Sequence, residues 1–210
     1  MRFRTKALVL LALAVLVPPA ASCLRGPKPA PAPALTTAFS PALGIRVTYD
    51  PGVFTSIVSE GSSEFPLYLR GEDYNLGIKR IRAAGILLAK EPQADFFQFF
   101  AQQVRFQLIK AGLTPLAPEV DEEFAAQGKA GLCQILHFRN PEDTKLIPSY
   151  VPQEPGAEYY LYYHHFYSKP DYFFFTAISR QALTPEQRAE IVALIDATEF
   201  NAQPIAAEEE

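Results

Sequence analysis

Three histidines and two cysteines are the side chains in this chain best suited to hold a metal or attack a substrate. His164 and His165 are adjacent, and His137 lies on another strand candidate. Neighbouring side chains on a strand point to opposite faces, so His164 and His165 cannot both ligate one ion from regular geometry. His137 with one of them and a carboxylate could supply three ligands, and Cys133 falls on the same strand face as His137. No HExxH or CxxC spacing supports that set. The expectation is therefore no metal, with partly exposed strand histidines packed among aromatics. No GxSxG elbow is present, and no serine sits in a recognisable Ser/His/acid arrangement. Nothing in the sequence around Cys133 marks it as an activated thiol. Glu122-Glu123 and Glu142-Asp143 read as solvated carboxylate pairs in polar loops, and no glycine-rich phosphate loop follows a strand. The sequence thus predicts neither an enzyme nor a bound cofactor.

The remaining candidate chemistry is aromatic. Tyrosines at 159, 160, 162, 163, 167 and 172 could form a platform for sugar rings or an extended peptide, with Tyr160, Tyr162 and His164 as its binding face. The complete lack of tryptophan counts against sugar stacking, and Tyr and Phe are also good strand residues.

The elements that would position these residues are legible from periodicity. Ile45, Val47 and Tyr49 alternate with polar neighbours before the turn Asp50-Pro51-Gly52. Phe65 to Arg70 and Tyr74 to Ile81 read as a hairpin, with Phe65, Leu67, Leu69, Leu76 and Ile78 on one face. Pro92 opens a long helix ending before Gly112, with Phe96, Phe97, Phe100, Val104 and Leu108 as its buried stripe. Gln98, Gln102, Gln103 and Lys110 are left for water. Gly131 to Arg139 reads as a strand, followed by a proline-rich loop through Pro155. Folding the next stretch at Ser168-Lys169-Pro170-Asp171 pairs Tyr167 with Tyr172, Phe166 with Phe173 and His164 with Phe175. Large aromatics on both faces argue for a central hairpin with both faces at least partly covered. Thr184, Pro185 and Gln187 form a capping box for a closing helix that buries Ile191, Leu194, Ile195 and Thr198 and delivers Phe200 to the core. This order predicts an α+β fold: an antiparallel sheet packed with a long middle helix and a C-terminal helix.

The N-terminus carries an address. Arg2, Arg4 and Lys6 precede the apolar run Ala7 to Val17, which Pro18-Pro19 ends before the small residues Ala20, Ala21 and Ser22. That run is too short to span a bilayer, which takes roughly 20 apolar residues. Residues 1–22 therefore read as a signal peptide. The small residues before Cys23 resemble the lipobox of bacterial lipoproteins, in which the cysteine receives a diacylglycerol and becomes the new N-terminus. Ala20 stands where that family prefers leucine, and ordinary secretory cleavage with a Cys23–Cys133 disulfide is the alternative. Leu24 in place of Asp, by resemblance to enterobacterial sorting signals, points to the outer membrane. Residues 23–43 hold five prolines and read as a lipidated cysteine on an unfolded Pro/Ala-rich tether, which leaves a single domain over 44–204 and an acidic tail over 205–210. Without Arg2, Arg4 and Lys6 the chain keeps 16 basic against 23 acidic residues, a net charge of about −7, which argues against nucleic acid.

Over most of residues 44 to 201 the pattern resembles the PsbP-like families of bacterial envelope lipoproteins, including the DcrB-like group, whose fold a small nuclear-transport factor shares. The likeness lies in GIRVTYDPGVF, the Phe-rich middle helix, the paired late strands and IVALIDATEF. Val53-Phe54 replaces the tryptophan usual after the proline turn. The resemblance implies α/β/α layers and a non-enzymatic accessory or binding domain with an envelope protein partner, and it carries over no functional residue. A periplasmic peptidoglycan or sugar binder using the aromatic hairpin is the second expectation, and a metal-dependent enzyme using His137 the third.

Overall fold

A computed structural model describes residues 34–58, 64–82, 94–146 and 148–203, all within the compact unit Pro33–Glu210. The signal segment, Cys23, most of the tether, Pro92 and the acidic tail lie outside the described residues.

The late aromatic hairpin forms as its sequence pattern specifies. Strands β9 (Glu158–Ser168) and β10 (Asp171–Ser179) are antiparallel, with Tyr167 opposite Tyr172, Phe166 opposite Phe173 and His164 opposite Phe175. Alternation then divides the large side chains between two cores. Tyr162, Phe166, Phe173 and Phe175 point to one side, while Leu161, Tyr163, Tyr172 and Phe174 point to the other.

Each side has its own cover. Helix α1 (Ala94–Lys110) lays Phe97, Ala101 and Leu108 on the Tyr172 side. Helix α2 (Pro185–Asp196) brings Ile191, Leu194 and Ile195 to the Phe175 side. A small antiparallel sheet joins α2 there, built from β1 (Thr36–Ser40), β2 (Ile45–Tyr49) and, from the chain's end, β11 (Glu199–Phe200). Phe200 lies against Phe166 and Phe173, at ring-centroid distances of 5.4 and 4.7 Å.

The main sheet is completed by β3 (Phe54–Val58), β4 (Leu67–Gly71), β5 (Tyr74–Arg82), β6 (Thr114–Pro115), β7 (Val120–Ala126) and β8 (Lys129–Arg139). Its order is β3-β4-β5-β10-β9-β8-β6, with β7 also paired along β8 and every pairing antiparallel. The fold is α+β, with helices on both faces of one large sheet.

Two polar clips join separate parts. Arg80 on β5 lies 3.4 Å from Asp171 on β10 and donates to the carbonyls of Leu43 and Ala42 at 2.7 and 2.8 Å, fastening the β1–β2 turn to the main sheet. Gln127, in the β7–β8 turn with φ +51°, donates from Nε2 to the carbonyls of Thr198 and Asp196 at 2.6 and 3.1 Å. Those carbonyls belong to the end of α2 and the residues just past it, where helical partners run out. At the other end of α2 the expected capping box is present, with Thr184 Oγ1 accepting from Gln187 N–H and Gln187 Oε1 accepting from Thr184 N–H.

Several expectations need correction. The chain enters the fold at Thr36, because β1 pairs with β2 from Thr36–Tyr49 to Ser40–Ile45, so the domain begins eight residues before Gly44. Pro41 sits in the connecting turn and made this segment read as tether. Glu122 and Glu123 lie on strand β7, not in a loop. Phe65 precedes β4 and crosses to the opposite face from Leu67 and Leu69, where it lies over Gly77; a Cβ at 77 would meet its ring at 2.5 Å. On α1 the outward face is not purely polar, since Phe99, Phe106 and Ile109 are exposed there beside Gln102 and Lys110.

Gly131 makes the same kind of contact in the β7–β8 hairpin, where an added Cβ would lie 2.3 Å from the Phe124 ring. Gly131→Ala is expected to cost about 1–3 kcal/mol through overpacking. In a Phe124→Leu background the cost should shrink, giving a non-additive double-mutant cycle in urea denaturation. Additive costs would mean that the ring does not press on this glycine.

Candidate functional site

A concavity lies between α1 and the sheet. It holds about 310 Å³ and is walled by Phe65, Phe100, Phe174, Tyr150 and Tyr163, with Val104 and Leu108 of α1 alongside. Lys79, Glu64, Gln103 and Gln107 also line it. Near-perpendicular rings shape it: Phe65 and Tyr150 lie 5.1 Å apart at 72°, and Phe100 and Phe174 lie 6.0 Å apart at 69°. Tyr150 and Tyr163 share a hydrogen bond between hydroxyls at 2.8 Å. Thr176, 1 % exposed, also lines the cleft, and its Oγ1 has no hydrogen-bond partner. Lys79 Nζ and Glu64 Oε1, both partly exposed, are 3.9 Å apart. Burial pushes the Tyr150 phenol up to about 12 and Tyr163 well above the usual phenol range, so both keep their protons.

Of the six platform tyrosines only Tyr163 lines this cleft, and the binding face expected from sequence, Tyr160, Tyr162 and His164, lies elsewhere. Tyr162 and His164 are buried in the layer between the sheet and α2, so they present no open face to a sugar or peptide. The Tyr162 hydroxyl accepts from Leu183 N–H at 2.8 Å and positions the chain entering α2. Tyr160 keeps some exposure but stacks on His137, with centroids 4.1 Å apart and planes 7° from parallel. Of the six tyrosines, Tyr159, Tyr162, Tyr163, Tyr167 and Tyr172 are buried, because both faces of the hairpin are covered.

The histidines and the thiol are likewise separated. His164 faces the α2 side opposite Cys133, while His165 faces α1 and bonds through Nδ1 to Tyr172 Oη at 3.1 Å. Neither is partly exposed as expected; both are buried and held neutral. Desolvation lowers the His164 pKa to about 4 and that of His165 to about 3. His137 Nε2 lies 3.8 Å from Glu158 Oε2. Among the described residues no three His, Cys, Asp or Glu side chains come together to hold a metal ion. Cys133 is a free thiol, 4 % exposed, and desolvation raises its pKa to about 12, keeping it protonated. A second concavity of about 250 Å³ lies over Cys133 and His164, and the Arg188–Glu122 ion pair lines it.

No family model matches the chain, and no curated protein matches it significantly. Among solved structures it is similar to the solution structure of cyanobacterial PsbP (CyanoP) from Synechocystis sp. PCC 6803, with 13% identity, 84% of this chain and 98% of that chain covered, and a TM-score of 0.42. The α+β class is read from the sheet order itself.

Apart from Tyr163, the cleft residues are not marked as a site by the sequence, because they come from distant segments. Tyr150 lies in the proline-rich loop, Phe65 before β4, Thr176 in the middle of β10 and Val104 on α1. The one local clue was Tyr150, a lone aromatic in a stretch otherwise lacking rings from Pro141 to Pro155.

The buried histidines set an acid limit. Their folded pKa values lie below the ordinary histidine value of 6.5, so the unfolded chain binds more protons between about pH 6.5 and pH 3. Stability is then complete above pH 6.5 and falls as pH drops through this window. The expected slope between pH 6 and 5 is about 1.4 kcal/mol per pH unit for each histidine. His165→Gln should roughly halve that slope in urea titrations, and an unchanged slope would show that His165 is protonated in the fold.

Proposed function

We propose that this chain is a bacterial envelope lipoprotein, cleaved before Cys23 and anchored through a lipid on that thiol, whose folded domain binds or supports another envelope component without catalysing a reaction. It faces the periplasm, and Leu24 after the cysteine favours the outer membrane.

The observation that carries this reading is the state of Cys133. A disulfide from Cys23 made to the folded domain would need a reachable, ionisable thiol. Cys133 instead sits in the core, protonated, on a strand paired on both sides. The tail cysteine is thereby left for the lipid that its signal sequence suits. The position of β1 adds a distance. Only residues 24–35 separate Cys23 from the first strand, which at roughly 3.1 Å per residue in an extended polyproline form holds the domain within about 37 Å of the bilayer.

The non-catalytic half of the reading is supported by the chemistry of the buried groups. His164, His165 and Cys133 are all neutral and enclosed, packed as structural side chains among aromatics.

The chain expressed in a bacterial host should incorporate labelled palmitate, sediment with membranes and accumulate as a precursor when lipoprotein signal peptidase is inhibited. Cys23→Ala should lose the label and be released. Normal membrane retention of Cys23→Ala would sink the anchor.

A further inference from the structure

The α1 cleft has a chemical character of its own, independent of whether Cys23 carries a lipid. We propose that it is a binding site for a flat, uncharged ring molecule bearing a carbonyl-type hydrogen-bond acceptor.

Its shape argues for a ring. Five aromatic side chains wall the cleft, among them the near-perpendicular Phe65–Tyr150 and Phe100–Phe174 pairs. The volume of about 310 Å³ lies at the small end of ligand pockets, which run from roughly 300 to 1,000 Å³.

Its polar groups argue for an acceptor. Tyr150 and Tyr163 have two hydroxyl protons between them, and their mutual hydrogen bond uses one. The other remains to be donated. Thr176, also among the lining residues, brings a second hydroxyl without a partner, whose hydrogen is free to turn to an acceptor. Burial keeps both phenols protonated, so they act as donors across the physiological pH range.

The charges argue for a neutral ligand. Among the described residues Lys79 is the one cation lining the cleft; it is 46% exposed and already has Glu64 beside it. A buried carboxylate or phosphate would therefore meet hydroxyls and aromatic rings but no buried positive charge, which is costly. A buried ammonium would meet only neutral acceptors, the hydroxyl oxygens and the Gln103 and Gln107 amides, and its one carboxylate among the described lining residues, Glu64, is partly exposed and already beside Lys79. A ketone, quinone or ester oxygen matches what the walls offer.

The test uses the purified full-length chain with three probes of one shape: 9-fluorenone, fluorene, which lacks the oxygen, and 9-fluorenone-2-carboxylate, which adds a charge. Calorimetric titration should show 9-fluorenone binding about three- to tenfold more tightly than fluorene, the range a single hydrogen bond supports. The carboxylate should bind more weakly than 9-fluorenone. Thr176→Val and Tyr150→Phe should each reduce the preference for 9-fluorenone while leaving fluorene affinity unchanged. Val104→Trp, which fills the cleft from α1, should abolish binding of all three; Gln103→Trp at the surface serves the same purpose if the first variant does not fold. Equal affinity for fluorene and 9-fluorenone, tightest binding by the carboxylate, binding that survives the filled cleft, or no binding by any probe would each overturn the proposal.

Discussion

The constraint on which this structure depends is that both faces of the β9–β10 hairpin are too apolar to meet water. A hairpin with tyrosine or phenylalanine at half of its strand positions, on both faces, cannot sit at a surface, so the chain must supply two covers. Helix α1 is one, and α2 with the small sheet is the other. Each cover is drawn from residues distant in sequence, and the final strand β11 pairs with β2 near the beginning of the fold. The middle of the molecule therefore cannot be protected until both ends of the chain are in place.

The same requirement explains the loss of polar function inside the sheet. His164 and His165 look like ligands in the sequence, but adjacent positions on a twice-covered strand send them into separate cores. There the uncharged form is the cheaper one. Concavities form instead where a cover fits imperfectly. Between α1 and the sheet the helix does not fill the space beside Tyr150 and Thr176, and an aromatic-walled cleft results.

What could be read from the sequence follows how local its cause is. The hairpin register was legible because Ser168-Lys169-Pro170-Asp171 fixes the turn and alternation fixes the faces. The start of α2 was legible because its capping box is written in Thr184 and Gln187. Strands β1, β3 and β7 were not, because their identity comes from the neighbours they join. β1 is short and next to prolines, and β7 carries three consecutive acidic residues, which in isolation resemble a solvated loop. Phe65 was placed on the wrong face because its partner, the bare backbone at Gly77, becomes visible only when the strands are side by side. The aromatic platform failed for a related reason: tyrosine content reports burial and exposure alike, and only the covers decide between them.

The acidic run on β7 has a consequence for how copies of this chain behave together. Among the described residues β7 pairs only with β8, so its outer edge presents backbone groups that another strand could use. Asp121, Glu122 and Glu123 place like charges along that edge, with Glu122 anchored by Arg188 of α2. A second identical edge approaching it would bring carboxylates against carboxylates. The sheet is thus guarded against growing by self-addition at β7, and that guard weakens as acid or high salt removes the repulsion.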